Sequence, residues 1–163
     1  MPRPLAPVLN TILFTILVPG TVLGYIPYRF TGGFARQTSG PVAWLGAVVI
    51  MLGAAIYFRC AWEFAMRGLG TPAPIAPTKY LVTTALHRYV RNPMYIGVFL
   101  VLAGEAILFR SLHLLEYMAF FCVIVELFVL YYEEPTLRRQ FGESYEQYRR
   151  TVPRWIPKFK VQT

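Results

Sequence analysis

Charge is what this sequence has least of. Only 15% of its 163 residues are Asp, Glu, Lys or Arg, where soluble domains carry about 25%. Hydrophobic residues make up 56% and the mean hydropathy is +0.46. That balance excludes an ordinary water-soluble domain and predicts one small integral-membrane domain over residues 1–163. Histidine and cysteine are also sparse, two of each, which leaves no spacing for a zinc cluster. Cys60 and Cys122 both lie in apolar runs and read as buried thiols, with no disulfide and no metal site. Missing as well are a Gly-x-Gly-x-x-Gly run after a strand, a Walker loop and a Gly-x-Ser-x-Gly elbow. Acidic residues number 8 against 16 basic ones, a net charge of +8. Such an excess can mark nucleic-acid binding, but no RNA-binding aromatic signature or zinc finger accompanies it. The expectation is no nucleic-acid partner.

What is present is a series of apolar runs. Val8 to Tyr28 is long enough to cross a bilayer core of about 30 Å at about 1.5 Å per residue. Its length and its lack of an Ala-x-Ala site favour a retained span over a cleaved signal peptide, and Pro19-Gly20 predict a kink within it. A second run, about Pro41 to Phe64, contains Gly46, Ala47, Gly53, Ala54 and Ala55, small residues that allow close helix contact. The third covers about Met94 to Phe109 and the fourth about His113 to Tyr132. The connection between them is so short that these two should form an antiparallel hairpin. Arg67 to Asn92 is rich in glycine, proline and basic residues and reads as a connection, not a helix.

The expected fold is therefore an all-α membrane protein with about four transmembrane helices, residues 1–66 holding two and 67–163 the other half. With the N-terminus inside, only Arg29, Arg36 and Arg110 of the 16 basic residues fall outside. That asymmetry predicts both termini on the cytoplasmic side, with membrane lipids as partners.

Glu133 to Pro157 is the one long segment neither apolar nor loop-like. As a helix from Pro135 it places Leu137, Phe141, Tyr145, Tyr148 and Val152 in a stripe of about 80°. Pro135 suits a first helical turn, so the preceding helix should end or kink near Tyr132 to Glu134. Two carboxylates, Glu133 and Glu134, then sit where the positive end of a helix dipole favours negative charge by about 0.3–1 kcal/mol. Glu126 precedes Glu133 by seven residues and should share its face. Arg88, Arg91, Asn92 and Tyr95 emerge at the same membrane boundary, so these residues are candidates to converge on one pocket.

Each has a blander reading. Arg88 and Arg91 would anchor lipid phosphates, Asn92-Pro93 would start a helix, with Asn92 as its cap, and Tyr131 and Trp155 would be interfacial aromatics. Arg59, Glu63 and Arg67 recur at every fourth position, the spacing of a structural ion-pair ladder. Glu105 and Glu116, near the outer end, would snorkel or pair with Arg110.

At RNPMYIG (Arg91 to Gly97) and EEPTLRRQFGESYEQYRRTVPRWIP the sequence resembles the isoprenylcysteine carboxyl methyltransferase family of integral-membrane methyltransferases, related to the phospholipid N-methyltransferases. GTPAPIAPTKYLVTT fits the bacterial members, which implies a bacterial inner membrane. The resemblance implies an S-adenosylmethionine-dependent enzyme that methylates a lipophilic or small acceptor, the cofactor lying at the cytoplasmic ends of the last two spans. Matched to the cofactor contacts are Lys79, Tyr80, Leu81 and Val82, then His87, then Asn92, Pro93, Met94 and Tyr95, and Glu133. Glu133, Glu134, Glu126 and Arg91 are the catalytic candidates, Glu134 or Glu126 taking a proton if the acceptor is an amine. Asn92 replaces the commoner histidine, and His87 stands where tyrosine is usual. Val129 stands where the eukaryotic prenylcysteine enzymes carry an arginine, which points away from a prenylcysteine carboxylate. A sterol-type membrane reductase using NADPH and a non-enzymatic lipid-binding scaffold are the competing readings.

Overall fold

The computed structural model describes residues 5–34, 37–68 and 79–158. Among them all regular structure is helical: α1 Leu5–Pro19, α2 Ile26–Phe30, α3 Pro41–Glu63, α4 Pro93–Phe109, α5 Leu112–Phe128, α6 Glu134–Phe141 and α7 Glu143–Thr151. Three continuous helices, Val8–Phe30, Pro41–Arg67 and Leu112–Phe141, are long and apolar enough to cross a membrane, and the apolar Pro93–Phe109 is shorter. Their outward faces carry large apolar side chains, among them Trp44, Met51, Phe58, Trp62 and Phe120, as lipid contact requires.

α1 does not break at Pro19. It passes through a π-type wide turn, Gly20–Tyr25, into α2. A second wide turn, Val129–Glu133, joins α5 to α6. Both end two residues ahead of a proline, Pro27 and Pro135: the Ile26 N–H bonds the Thr21 carbonyl and the Glu134 N–H bonds the Val129 carbonyl. A proline inside an α-helix leaves one carbonyl without its donor and collides with it. Widening the turn before the ring accommodates both problems without ending the helix.

The core sits between α3 and α4, around Tyr57, Cys60, Ala61, Met94, Val98 and Leu102. These helices touch at backbone distance through two glycine pairs. A Cβ on Gly53 would lie 2.6 Å from the Gly97 carbonyl, and one on Gly46 2.9 Å from that of Gly104. At the far end, left-handed Arg110 (φ 46°) turns the chain and the Ser111 side chain caps α5 by accepting from Leu114 N at 3.3 Å.

Several expectations change. The amphipathic tail is not one helix: Gly142 (φ 54°) divides it into α6 and α7, although Tyr145 and Val152 remain buried. Asn92 makes no side-chain cap. Glu105 is buried without pairing to Arg110, and its Oε2 has no partner. The expected ladder is present, Glu63 meeting Arg59 at 2.6 Å and Arg67 at 3.1 Å. Much of GTPAPIAPTK lies outside the described residues.

Candidate functional site

The start of α4, the end of α5 and the tail meet at one end of the bundle. After α7 the chain doubles back along residues 89–92, Arg91 N donating to the Pro153 carbonyl and Lys158 N to the Tyr89 carbonyl, both at 2.9 Å. Asn92 Nδ2 reaches the Arg154 carbonyl at 3.3 Å, and the Tyr148 hydroxyl donates to the His87 carbonyl at 2.6 Å. Tyr148 is a dependable donor because burial pushes its phenol well up from its ordinary value. The tail thus straps the segment that carries His87 to Tyr95.

Inside the strap the carboxylates divide into two kinds. Glu134, 5% exposed, accepts from Arg91 Nη1 at 2.9 Å and Arg154 Nε at 2.8 Å. Arg154 Nη1 also meets Glu126 Oε1 at 2.9 Å, and Trp155 Nε1 donates to Glu126 Oε2 at 2.6 Å. Arg91 reaches the Tyr145 hydroxyl at 3.2 Å. Trp155 is therefore a pinned residue of this network, its ring beside Tyr95 and Phe99, and not a free interfacial aromatic. Arg91 and Glu134 are the network's buried pair, and removing either strands a buried charge, at about 3–5 kcal/mol. Glu133 differs: the Tyr95 hydroxyl donates to its Oε2 at 3.0 Å, and among the described residues no cation pairs with it.

A polar recess of about 250 Å³, its mouth included, is walled by Arg91, Asn92, Val129, Glu133, Glu134, Leu137, Tyr145 and Tyr148. Tyr95 bridges from its edge to an apolar cavity, and Pro93 and Met94 are buried at the start of α4. Lys79, Tyr80, Leu81 and Val82 are not among the recess walls; Lys79 and Tyr80 are exposed and Val82 is buried. His87 is buried edge-on to Phe64 at 5.2 Å with its Nδ1 unpartnered. Arg154 was missed as a site residue. Its signal was its place in the tail motif among carboxylates needing cations.

Burial pushes the His87 imidazole down to about 4, against the opposing charge of Glu63. An unfolded histidine titrates near about 6.5, so between these values the unfolded chain binds the extra proton. The contribution of His87 to stability is complete above about pH 6.5 and is lost as the pH drops toward 4, by at most about 1.4 kcal/mol per pH unit. His87→Phe is expected to flatten this acid limb in melting curves; an unchanged slope would assign it to other groups.

Over 79 residues the chain is 38% identical to the protein-S-isoprenylcysteine O-methyltransferase of Schizosaccharomyces pombe, a match covering 47% of this chain and 33% of that protein. Over 75 residues it is 41% identical to the methanethiol S-methyltransferase of Crocosphaera subtropica, covering 46% and 28%. The chain thus spans about a third or less of the length of these relatives. No solved structure gives a significant match. The phospholipid methyltransferase family model matches residues 41–144, which takes in α3, α4, α5, α6, both glutamates and the start of α7. By that match, over more than half its length, the chain belongs to the phospholipid methyltransferase family.

Proposed function

We propose that this chain transfers the methyl group of S-adenosylmethionine to a lipophilic or small acceptor, in a site at the cytoplasmic end of a four-span bundle with both termini on that side. The observation that carries the reading is Glu133, a carboxylate without a cation partner at the edge of a polar recess, beside a Glu134 already engaged by two arginines. The named relatives, an O-methyltransferase and an S-methyltransferase, support the class of reaction.

The residues fit a zwitterionic cofactor. Arg91 Nε and His87 Nδ1 are buried without partners, and unmade buried hydrogen bonds of this kind cost about 1–3 kcal/mol each. Arg91 Nε suits a carboxylate or hydroxyl, and Glu133 suits an ammonium or sulfonium. Bound there, the cofactor supplies an electrophilic methyl group for an in-line displacement. Asn92 lines the recess and Tyr95 holds Glu133 at its edge, with Pro93 and Met94 buried behind them at the start of α4; Lys79 to Val82 and His87 would bear on the cofactor from the segment before α4. A thiol, hydroxyl or amine acceptor loses a proton as its new bond to carbon forms, and Glu133, directly or through Tyr95, is placed to take it. Glu134, Glu126 and Arg91 hold the strap, with Arg154 between the two carboxylates. Closing the tail over the recess excludes water and fixes the approach, which can supply much of the rate.

The test is equilibrium binding of labelled S-adenosylmethionine to the purified full chain, then methyl transfer into a membrane-lipid extract with identification of the labelled product. Saturable binding and a labelled lipophilic product are expected. Absence of binding would sink the reading.

A further inference from the structure

The segment that leads into the recess is held in a backbone conformation that its sequence disfavours. Ala85 has φ 50°, where the Cβ crowds the following carbonyl and residues other than glycine are rarely found. Thr84 before it is extended, and the short helical turn Ala85–Arg88 begins with it. His87 N donates to the Thr84 carbonyl at 3.0 Å and Val90 N to the Leu86 carbonyl at 3.3 Å. The turn therefore runs straight on to Arg91 and Asn92 of the recess wall. A residue kept in such a region persists only where its surroundings over-determine it.

Side chains from two different helices do this here. Tyr148 of α7 donates to the His87 carbonyl. From α3 comes Glu63, its last residue, whose Oε2 accepts from the Thr84 hydroxyl at 2.8 Å, and the next residue, Phe64, sets its ring against His87. An ion-pair ladder accounts for the pairing of Glu63 with Arg59 and Arg67 but not for its burial. Rungs of that kind sit in solvent and contribute little, whereas Glu63 is 2% exposed beneath two half-exposed arginines. Their charges offset the cost of burying the carboxylate, which leaves it able to accept from Thr84, 21 residues further along the chain.

We propose that Glu63 is a positioning residue of the candidate site: through Thr84 it holds Ala85 in its left-handed turn, and so fixes where that turn presents His87 and delivers Arg91 and Asn92 to the recess. No recess wall comes from α3, so Glu63 acts at one remove from the cofactor. The inference takes its cofactor from the methyl-transfer reading, while the bracing of the turn stands apart from it. Glycine adopts the left-handed region without a steric penalty. Ala85→Gly therefore gives a turn that needs less bracing, which separates a positioning role from a ladder that only stabilises α3.

The experiment uses the full chain in phosphatidylcholine nanodiscs and reads two quantities on each sample: binding of labelled S-adenosylmethionine, and amide hydrogen exchange in the peptide covering residues 84–90. Thr84→Val removes the hydroxyl and leaves Glu63 both arginines. It should weaken binding about ten-fold, the low end for a hydrogen bond to a charged group, and speed exchange in that peptide several-fold. Glu63→Gln should do the same, and Thr84→Val carries the test if Glu63→Gln fails to fold. Adding Ala85→Gly to Thr84→Val should recover most of both losses. Arg59→Gln, which removes one rung of the ladder, should lower the melting temperature and change neither quantity. Wild-type binding and exchange in Thr84→Val, no recovery on adding Ala85→Gly, or an equal loss in Arg59→Gln would overturn the proposal. If the wild-type chain itself binds no S-adenosylmethionine, the methyl-transfer reading fails, and the exchange measurements alone decide whether Glu63 braces the turn.

Discussion

Changing Glu133 to glutamine is expected to weaken S-adenosylmethionine binding about ten- to a hundred-fold, the loss of one interaction with a charged group worth about 1.5–3 kcal/mol. The melting temperature should hardly move, because among the described residues Tyr95 is the one side-chain donor to Glu133 and no cation depends on it. Glu134→Gln should behave in the opposite way. It leaves Arg91 and Arg154 facing a neutral amide in a buried position, where breaking a pair costs up to about 3–5 kcal/mol. The strap should then loosen and the protein melt early, with weaker cofactor binding following from that loss. Calorimetry with labelled or unlabelled cofactor, alongside melting in detergent, separates the two. Tight binding in Glu133→Gln, with selective loss of binding in a stable Glu134→Gln, would reverse the assignment.

Adding a single methyl group at Gly53 is expected to be the most damaging small change in the bundle. The new Cβ would sit 2.6 Å from the Gly97 carbonyl and 2.8 Å from the Val101 nitrogen. Both are backbone atoms of α4, so no side chain can swing aside and the two helices must separate. Overpacking of this kind costs about 1–3 kcal/mol, and here it acts where α4 carries Tyr95 and the core residues Met94 and Val98. Gly24→Ala is the control, since nothing lies within 4 Å of its Cβ position. The readout is in the molecule: Cys60 is 1% exposed, so a thiol-reactive dye reports opening of the α3 and α4 pair on heating. A Gly53→Ala protein that melts with wild type would mean that the backbones do not approach this closely.

By itself the sequence determined that the chain is helical and apolar, where its spans lie to within a few residues at most of their ends, and which polar segments belong together. These follow from composition and local periodicity, which are carried by neighbours along the chain. Small residues at Gly46 and Gly53 also announced a close helix contact, though not that Gly97 and Gly104 would complete it. The candidate residues around Arg91 to Tyr95 and Glu133 to Glu134 were legible because the charges of an apolar chain are few and conspicuous.

What only the tertiary structure decided is which carboxylate meets which partner. Counting by an ideal helix, Glu126 and Glu133 are seven residues apart and share a face. The wide turn Val129–Glu133 accommodates Pro135 and adds about one residue to that turn. The registration moves on by one, Glu134 joins Glu126 on Arg154, and Glu133 is turned to Tyr95. A side chain's direction along a helix is a running sum of turns, and one wide turn resets it for everything beyond. The tail motif gave a similar lesson: its apolar stripe was legible, but Gly142 broke the helix, and the strap pairing of residues 153–158 with 89–91 joins segments too distant along the chain for local pattern to reveal.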